Sequence, residues 1–217
     1  MKRGIIGFTM MLALANSAVS QVSIGPMVGV NISTINEGSG TGSVVITAIS
    51  TATLPKFGLL LDISTSDRIG IQTGLNVSGY GADYKLYNTN YGNSVNMESR
   101  LYYLGLPVDV YVRPLLDKPT FSILGGLEFN GLTVATTNGE SDRGSYGKFD
   151  LQVKIGAQAK LSGGFGTKIQ YGIGTKNIFD ESSDGKYVTP GYQTPTFDNK
   201  TRSFSISIFY LFGGGIM

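Results

Sequence analysis

The chain has no cysteine, no histidine and no tryptophan. Without cysteine there can be no disulfide, no thiol nucleophile, no thiolate metal site and no cysteine to carry a lipid anchor. Without histidine, Ser-His and Cys-His relays and imidazole ligands are excluded. We therefore expect no enzyme, no cofactor and no metal site. Charge is scarce too: charged residues make up 15% of the chain, against about 25% in soluble domains. The formal net charge of +2 is too balanced to suggest nucleic acid as a partner, which calls for a clustered basic face. Beyond Ser20 there is no run of 18 uninterrupted apolar residues, so no later segment can cross a bilayer as a helix. What the chain has in excess is glycine, 31 of 217 residues. Glycine costs a helix about 1 kcal/mol relative to alanine, so this composition suits a sheet with tight turns and a crowded interior.

Residues 1–20 read as a secretory signal: Lys2 and Arg3, an apolar stretch from Gly4 to Ala15, then small residues at Ala18-Val19-Ser20. The expected domain is residues 21–217, exported through a cleaved signal.

Within it, eight stretches alternate apolar with polar or small residues, the period of a strand. They are Val22–Ser33, Phe57–Ser64, Ile69–Ser78, Tyr102–Arg113, Phe121–Asn130, Phe149–Leu161, Phe165–Ile173 and Ser203–Phe212. The clearest places Tyr102, Leu104, Leu106, Val108, Val110 and Val112 on one face, and Tyr103, Gly105, Asp109, Tyr111 and Arg113 on the other. Pro26 and Pro107 fall inside strands and lack an N–H donor, so a bulge or a locally missing rung is expected at Pro107. The connections near residues 64–68, 114–119 and 162–164 are short. Those near 34–54, 81–97, 136–147 and 179–201 are long and polar, and are predicted to be loops. This alternation of lengths is that of an up-and-down membrane barrel, with short turns and both chain ends on the periplasmic side.

Alternation alone fits two barrels. A soluble lipocalin-like barrel turns its apolar face inward to hold a ligand; a membrane barrel turns it to lipid and keeps a polar lumen. Three features favour lipid: opposite charges on neighbouring polar faces, aromatics at the ends of apolar faces (Tyr102, Phe121, Phe149, Phe165, Phe204 and Phe212), and apolar runs of about 11 residues, enough to span when tilted. The predicted fold is an all-β, eight-stranded antiparallel up-and-down transmembrane β-barrel in the outer membrane, monomeric, with lipid as its first partner.

The run from Tyr103 to Arg113, Tyr-Leu-Gly-Leu-Pro-Val-Asp-Val-Tyr-Val-Arg, resembles a fourth-strand signature of the PorT-like outer-membrane barrels common in Bacteroidota. Ile24–Asn31 and Phe204–Phe212 are similar to that family's first and last strands. Two departures stand out: Gly105 occupies a position where the family usually has an acidic residue, and Gly213–Met217 extends past the final aromatic. The resemblance implies the barrel fold and outer-membrane location, with secretion-associated transport as one family role.

Two sets of residues are candidates for function. Asp62, Asp109, Glu128 and Asp150, with Arg113, Lys154, Lys160 and Lys168, fall on the predicted lumen face. They form either a narrow conducting path or a paired network that fills the interior; an eight-stranded barrel has room for little more than side chains. Tyr84, Tyr87 and Tyr91, beside Tyr80 and several asparagines, are predicted to lie in the second loop, as contacts for a protein or surface ligand. Asp180, Glu181, Asp184 and Gly185 suggest calcium only faintly, without the EF-hand spacing. The expected role is structural or binding, with a narrow channel and a soluble periplasmic ligand-binding barrel as alternatives.

Overall fold

An extended chain sends successive side chains to opposite faces, and eight such stretches here pair into a closed antiparallel ring. The computed structural model describes residues 21–36, 44–88, 92–114, 121–176 and 200–213. The signal-like segment, Tyr91, the carboxylates at 180–184 and residues 214–217 lie outside it. The barrel strands are β1 (Gln21–Asn36), β2 (Val44–Ser64), β3 (Ile69–Asn88), β4 (Asn93–Val112), β5 (Phe121–Thr137), β6 (Phe149–Lys160), β7 (Phe165–Gly174) and β8 (Lys200–Tyr210). A two-residue strand, Glu140–Ser141, folds back on the end of β5. Each strand pairs with its sequence neighbours, and β1 closes the ring against β8 from Met27↔Phe209 to Asn36↔Lys200.

The register fixes the tilt. The row of paired residues starting at Ser23 passes through Asp62, Gln72, Asp109, Gly126, Lys154, Gly172 and Ser203, and returns to β1 at Ser33, ten residues from its start. A stagger of ten over eight strands inclines each strand by about 40° to the barrel axis. The turn between β6 and β7 needs glycine: Gly163 and Gly164 have φ of 74° and 86°, left-handed values that a Cβ disfavours. At the seam, a Cβ on Gly25 would lie 1.5 Å from the Tyr210 carbonyl oxygen, so the first and last strands touch backbone to backbone.

The apolar face points out. Leu59, Val110 and Ile155 are 54%, 48% and 63% exposed, whereas Asp109 and Glu128 are fully buried. This is the reverse of a soluble ligand-binding barrel, and that alternative is set aside. Inside, Met27, Leu60, Phe209 and Leu211 pack in the half nearer the short turns, and Tyr80, Ala82, Tyr84, Leu101, Tyr103, Leu132, Ala135 and Tyr146 pack in the other half.

Two of the predicted loops are largely strand. The β3–β4 ladder runs without a shift of register to Asn88↔Asn93, through most of residues 81–97, and β2 extends back to Val44 through much of 34–54. Outside the membrane the outward face meets water, so Gly79, Gly81 and Asp83 can alternate with Tyr80, Ala82 and Tyr84. The apolar–polar contrast that flags a strand disappears while the backbone ladder continues.

Prolines interrupt the ladders on one side only. Pro107 pairs with Glu128 in continuous register with β5, but pairing with β3 stops at Thr73↔Val108 and resumes at Asn76↔Gly105. The rung is missing without a bulge, and the Thr73 hydroxyl donates instead to the Pro107 carbonyl at 2.8 Å. Pro26 pairs with β2, and the main ladder to β8 begins one residue later. Pro55 adjoins a shift in the β2–β3 register between Thr51 and Lys56. There Asn31 Nδ2 donates to the Gly79 carbonyl at 3.1 Å, Ser33 Oγ donates to the Gly81 carbonyl at 3.1 Å and accepts from the Gly81 N–H at 2.8 Å. Side chains of β1 thus satisfy backbone groups of β3 that the kinked β2 leaves behind.

Candidate functional site

All the carboxylates predicted for the lumen are buried inside the ring, because alternation from the outward Leu, Val, Ile and Phe positions leaves them no other face. In the half nearer the short turns, Lys160 Nζ lies 2.9 Å from Asp62. Asp62 also accepts from Gln72 Nε2 at 2.6 Å and from the Tyr111 hydroxyl at 3.1 Å. Gln72 donates to Gln158 at 2.7 Å and accepts from Lys168, whose ammonium lies 3.2 Å from Asp109. Asp109 accepts from Gln170 Nε2 at 2.9 Å as well. At the rim, Arg113 donates to Ser64 Oγ and to the Tyr111 hydroxyl. The guanidinium of Arg113 and the ammonium of Lys160 both stack on the Tyr111 ring, 5.2 and 5.3 Å from its centroid.

The second network centres on Glu128. It pairs with Lys154 and, at 3.7 Å, with Lys56. The Tyr80 hydroxyl lies 3.3 Å from both Glu128 and Gln152, and Gln152 donates onward to Asp150 at 3.2 Å. Asp150 also accepts from Thr201 Oγ1 at 3.1 Å. It is the one lumen carboxylate without a cation partner among the described residues. Among the described residues the lumen therefore holds four lysines, 56, 154, 160 and 168, and four carboxylates, with Arg113 at the mouth. Buried charges are tolerable only when paired, and here side chains bridge the interior from wall to wall. The chemistry of this arrangement is to hold charge in place.

Lys56 was not among the predicted site residues. It lies one position before outward Phe57, so the period of two, continued by a single residue, would have placed it inside; Pro55 and the polar stretch before it masked the start of the strand. The glutamines sit on the predicted polar faces, and their bridging role emerges only once the register is known.

The predicted loop contacts are not brought together. Tyr84 is buried in the interior cluster, because β3 continues through it and its parity points inward. Tyr87 is exposed on the extended part of β3, and Tyr91 lies outside the described residues.

Beyond the apolar belt the outer wall changes character. On β3 the outward series Ile69, Ile71, Thr73, Leu75 and Val77 gives way to Gly79, Gly81, Asp83, Lys85 and Tyr87; on β4, Tyr102 gives way to Arg100 and Glu98. The β1–β2 ladder stops at Ser33↔Ala52 and the β4–β5 ladder at Ser99↔Thr137, while β2–β3 and β3–β4 continue to Asn88. A three-stranded sheet thus rises from the barrel. Asn138 still caps the β4 edge at Glu98, donating its N–H to the Glu98 carbonyl and accepting from the Glu98 N–H. Beyond that, the sheet has no ladder partner for its outer edges on β2 and β4 among the described residues. From Val77 to Asn88 it adds about 35 Å of strand.

A family model described as the outer membrane protein beta-barrel domain matches residues 4–212. A search of curated protein sequences returned no match. Among solved structures, the chain is similar to Ail, the attachment invasion locus protein of Yersinia pestis, crystallised with the heparin analogue sucrose octasulfate: 11% identity over 88% of this chain and 99% of that one, with a TM-score of 0.46. It is similar to neisserial surface protein A at 9% identity over 87% and 97%, TM-score 0.47. For the Escherichia coli outer membrane protein W the identity is 13% over 87% and 97%, TM-score 0.32.

Proposed function

The chain belongs to the outer-membrane protein β-barrel domain family, and from that premise we propose that it is a non-catalytic, surface-presenting barrel: an anchor with a filled interior whose binding element is the three-stranded sheet above the membrane. The observation that carries this reading is the β3–β4 ladder, which runs without a shift of register well past the apolar belt and stands beside unpaired strand edges. Open edges accept an added strand or a contacting loop from a partner, and exposed Tyr87 and Val95 supply contact area. The expected partner is a protein or a surface ligand outside the cell. The short turns at 65–68 and 162–164 then face the periplasm, after export through a cleaved signal. The Tyr103–Arg113 run supports the finer placement among PorT-like barrels. The filled lumen favours this role over a channel.

Because the chain has no cysteine, single-cysteine labelling is free of background. Tyr87→Cys is expected to react with a membrane-impermeant maleimide on intact cells, and Asp67→Cys only after the outer membrane is permeabilised. The opposite pattern would refute the orientation and with it the surface role.

A further inference from the structure

At the upper edge of the apolar belt the two sides of the barrel differ in charge. On the β2–β4 side, Arg100 lies 2.5 Å from Asp83 and 3.6 Å from Glu98, so cation and carboxylate cancel. The outward faces of β6, β7 and β8 carry no carboxylate among the described residues. Above Phe149, Ile173 and Phe204 these three outward faces carry only positive charge among the described residues. The Lys176 ammonium lies 5.1 Å from the centroid of the Phe149 ring, which lays its aliphatic stem along the apolar wall. Arg202 is exposed, two residues above Phe204 on the same face of β8 and opposite Ile173 of β7. Neither Lys176 nor Arg202 joins an ion pair among the described residues. Lys200 follows Arg202 along the same outward face, and Lys148 is exposed beside Phe149.

Exposed aromatics and long cationic side chains at this height mark the headgroup level of a bilayer. Lys176 and Arg202 have apolar wall below them and, among the described residues, no carboxylate paired with them, so a lipid headgroup is the counter-charge this surface leaves open to them. A phosphate monoester presents nearly two negative charges and three acceptor oxygens, and a guanidinium grips it through two parallel hydrogen bonds. We infer that Lys176 and Arg202, framed by Phe149, Ile173 and Phe204, form a docking site for the phosphorylated headgroup of a lipid in the outer leaflet. The leaflet rests on the orientation proposed above; the lipid chemistry does not.

The test uses purified, detergent-folded full-length protein, in which orientation plays no part, so this inference and the surface role can fail separately. The protein is mixed with diphosphorylated lipid A or with the same lipid after removal of its phosphates, and bound lipid is counted by native mass spectrometry. Wild type is expected to retain the phosphorylated form, less so as ionic strength rises. The Lys176→Gln/Arg202→Gln variant is expected to retain about twentyfold less. Lys85→Gln/Arg100→Gln, on the opposite side, is expected to match wild type. Heat-modifiable gel mobility checks that each variant has folded. Retention that ignores the phosphates would overturn the site. So would a double variant that binds as wild type does, the result expected if carboxylates of residues 177–199 held these cations.

Discussion

At the scale of single residues, the charges in the lumen act by parity and by partnership. Glu128 is the clearest case, since two buried lysines depend on it. Glu128→Gln would leave Lys56 and Lys154 facing each other with no carboxylate between them. Removing one member of a buried ionic set costs about 3 to 5 kcal/mol, and we expect a loss of that order in urea unfolding of the folded barrel in lipid vesicles. Glu128→Gln combined with Lys154→Met should recover part of it; no recovery would show that the pairing is not what holds this layer. These lumen charges were legible in the sequence because each sits among outward apolar neighbours whose period of two leaves no ambiguity. Lys56 escaped because Pro55 adjoins a register shift where the pattern had not yet settled. Tyr84 was misplaced because, above the membrane, neither face is greasy enough to show which side is in.

At the scale of elements, the strands carry two kinds of wall, and a single substitution distinguishes them. Val108 lies mid-strand on the lipid face, and Thr53 is exposed at the top of the belt. Arginine facing lipid near the mid-plane of a barrel costs about 2 to 4 kcal/mol, falling to about 0 to 1 near the interface. Val108→Arg should therefore destabilise strongly and Thr53→Arg little, in the same vesicle unfolding assay. Equal costs would mean that Val108 does not face hydrocarbon. The membrane-spanning portions of the strands could be read from the chain because lipid imposes a strict contrast between faces. Their extensions could not, since what sustains them is the hydrogen-bonded ladder and the repair of the Pro55 kink by Asn31 and Ser33, neither of which leaves a periodic trace.

At the scale of the whole molecule, eight strands staggered by ten enclose a cylinder that side chains fill. The filling here is ionic, aromatic and amide, bridged from wall to wall. The purified protein in planar bilayers is expected to show no large, stable current steps; steps of the size a water-filled porin gives would mean that the networks part and the interior conducts.

The closing seam has a consequence for assembly. The ten rungs that join β1 to β8 link opposite ends of the chain, so β1 must wait for almost the entire polypeptide before its second neighbour exists. An arc of seven strands in hydrocarbon would expose those rungs, at several kcal/mol for each unmet backbone group. No half-built intermediate can rest in the lipid on its own: either another surface shields the waiting edge of β1, or the cylinder enters the bilayer already shut.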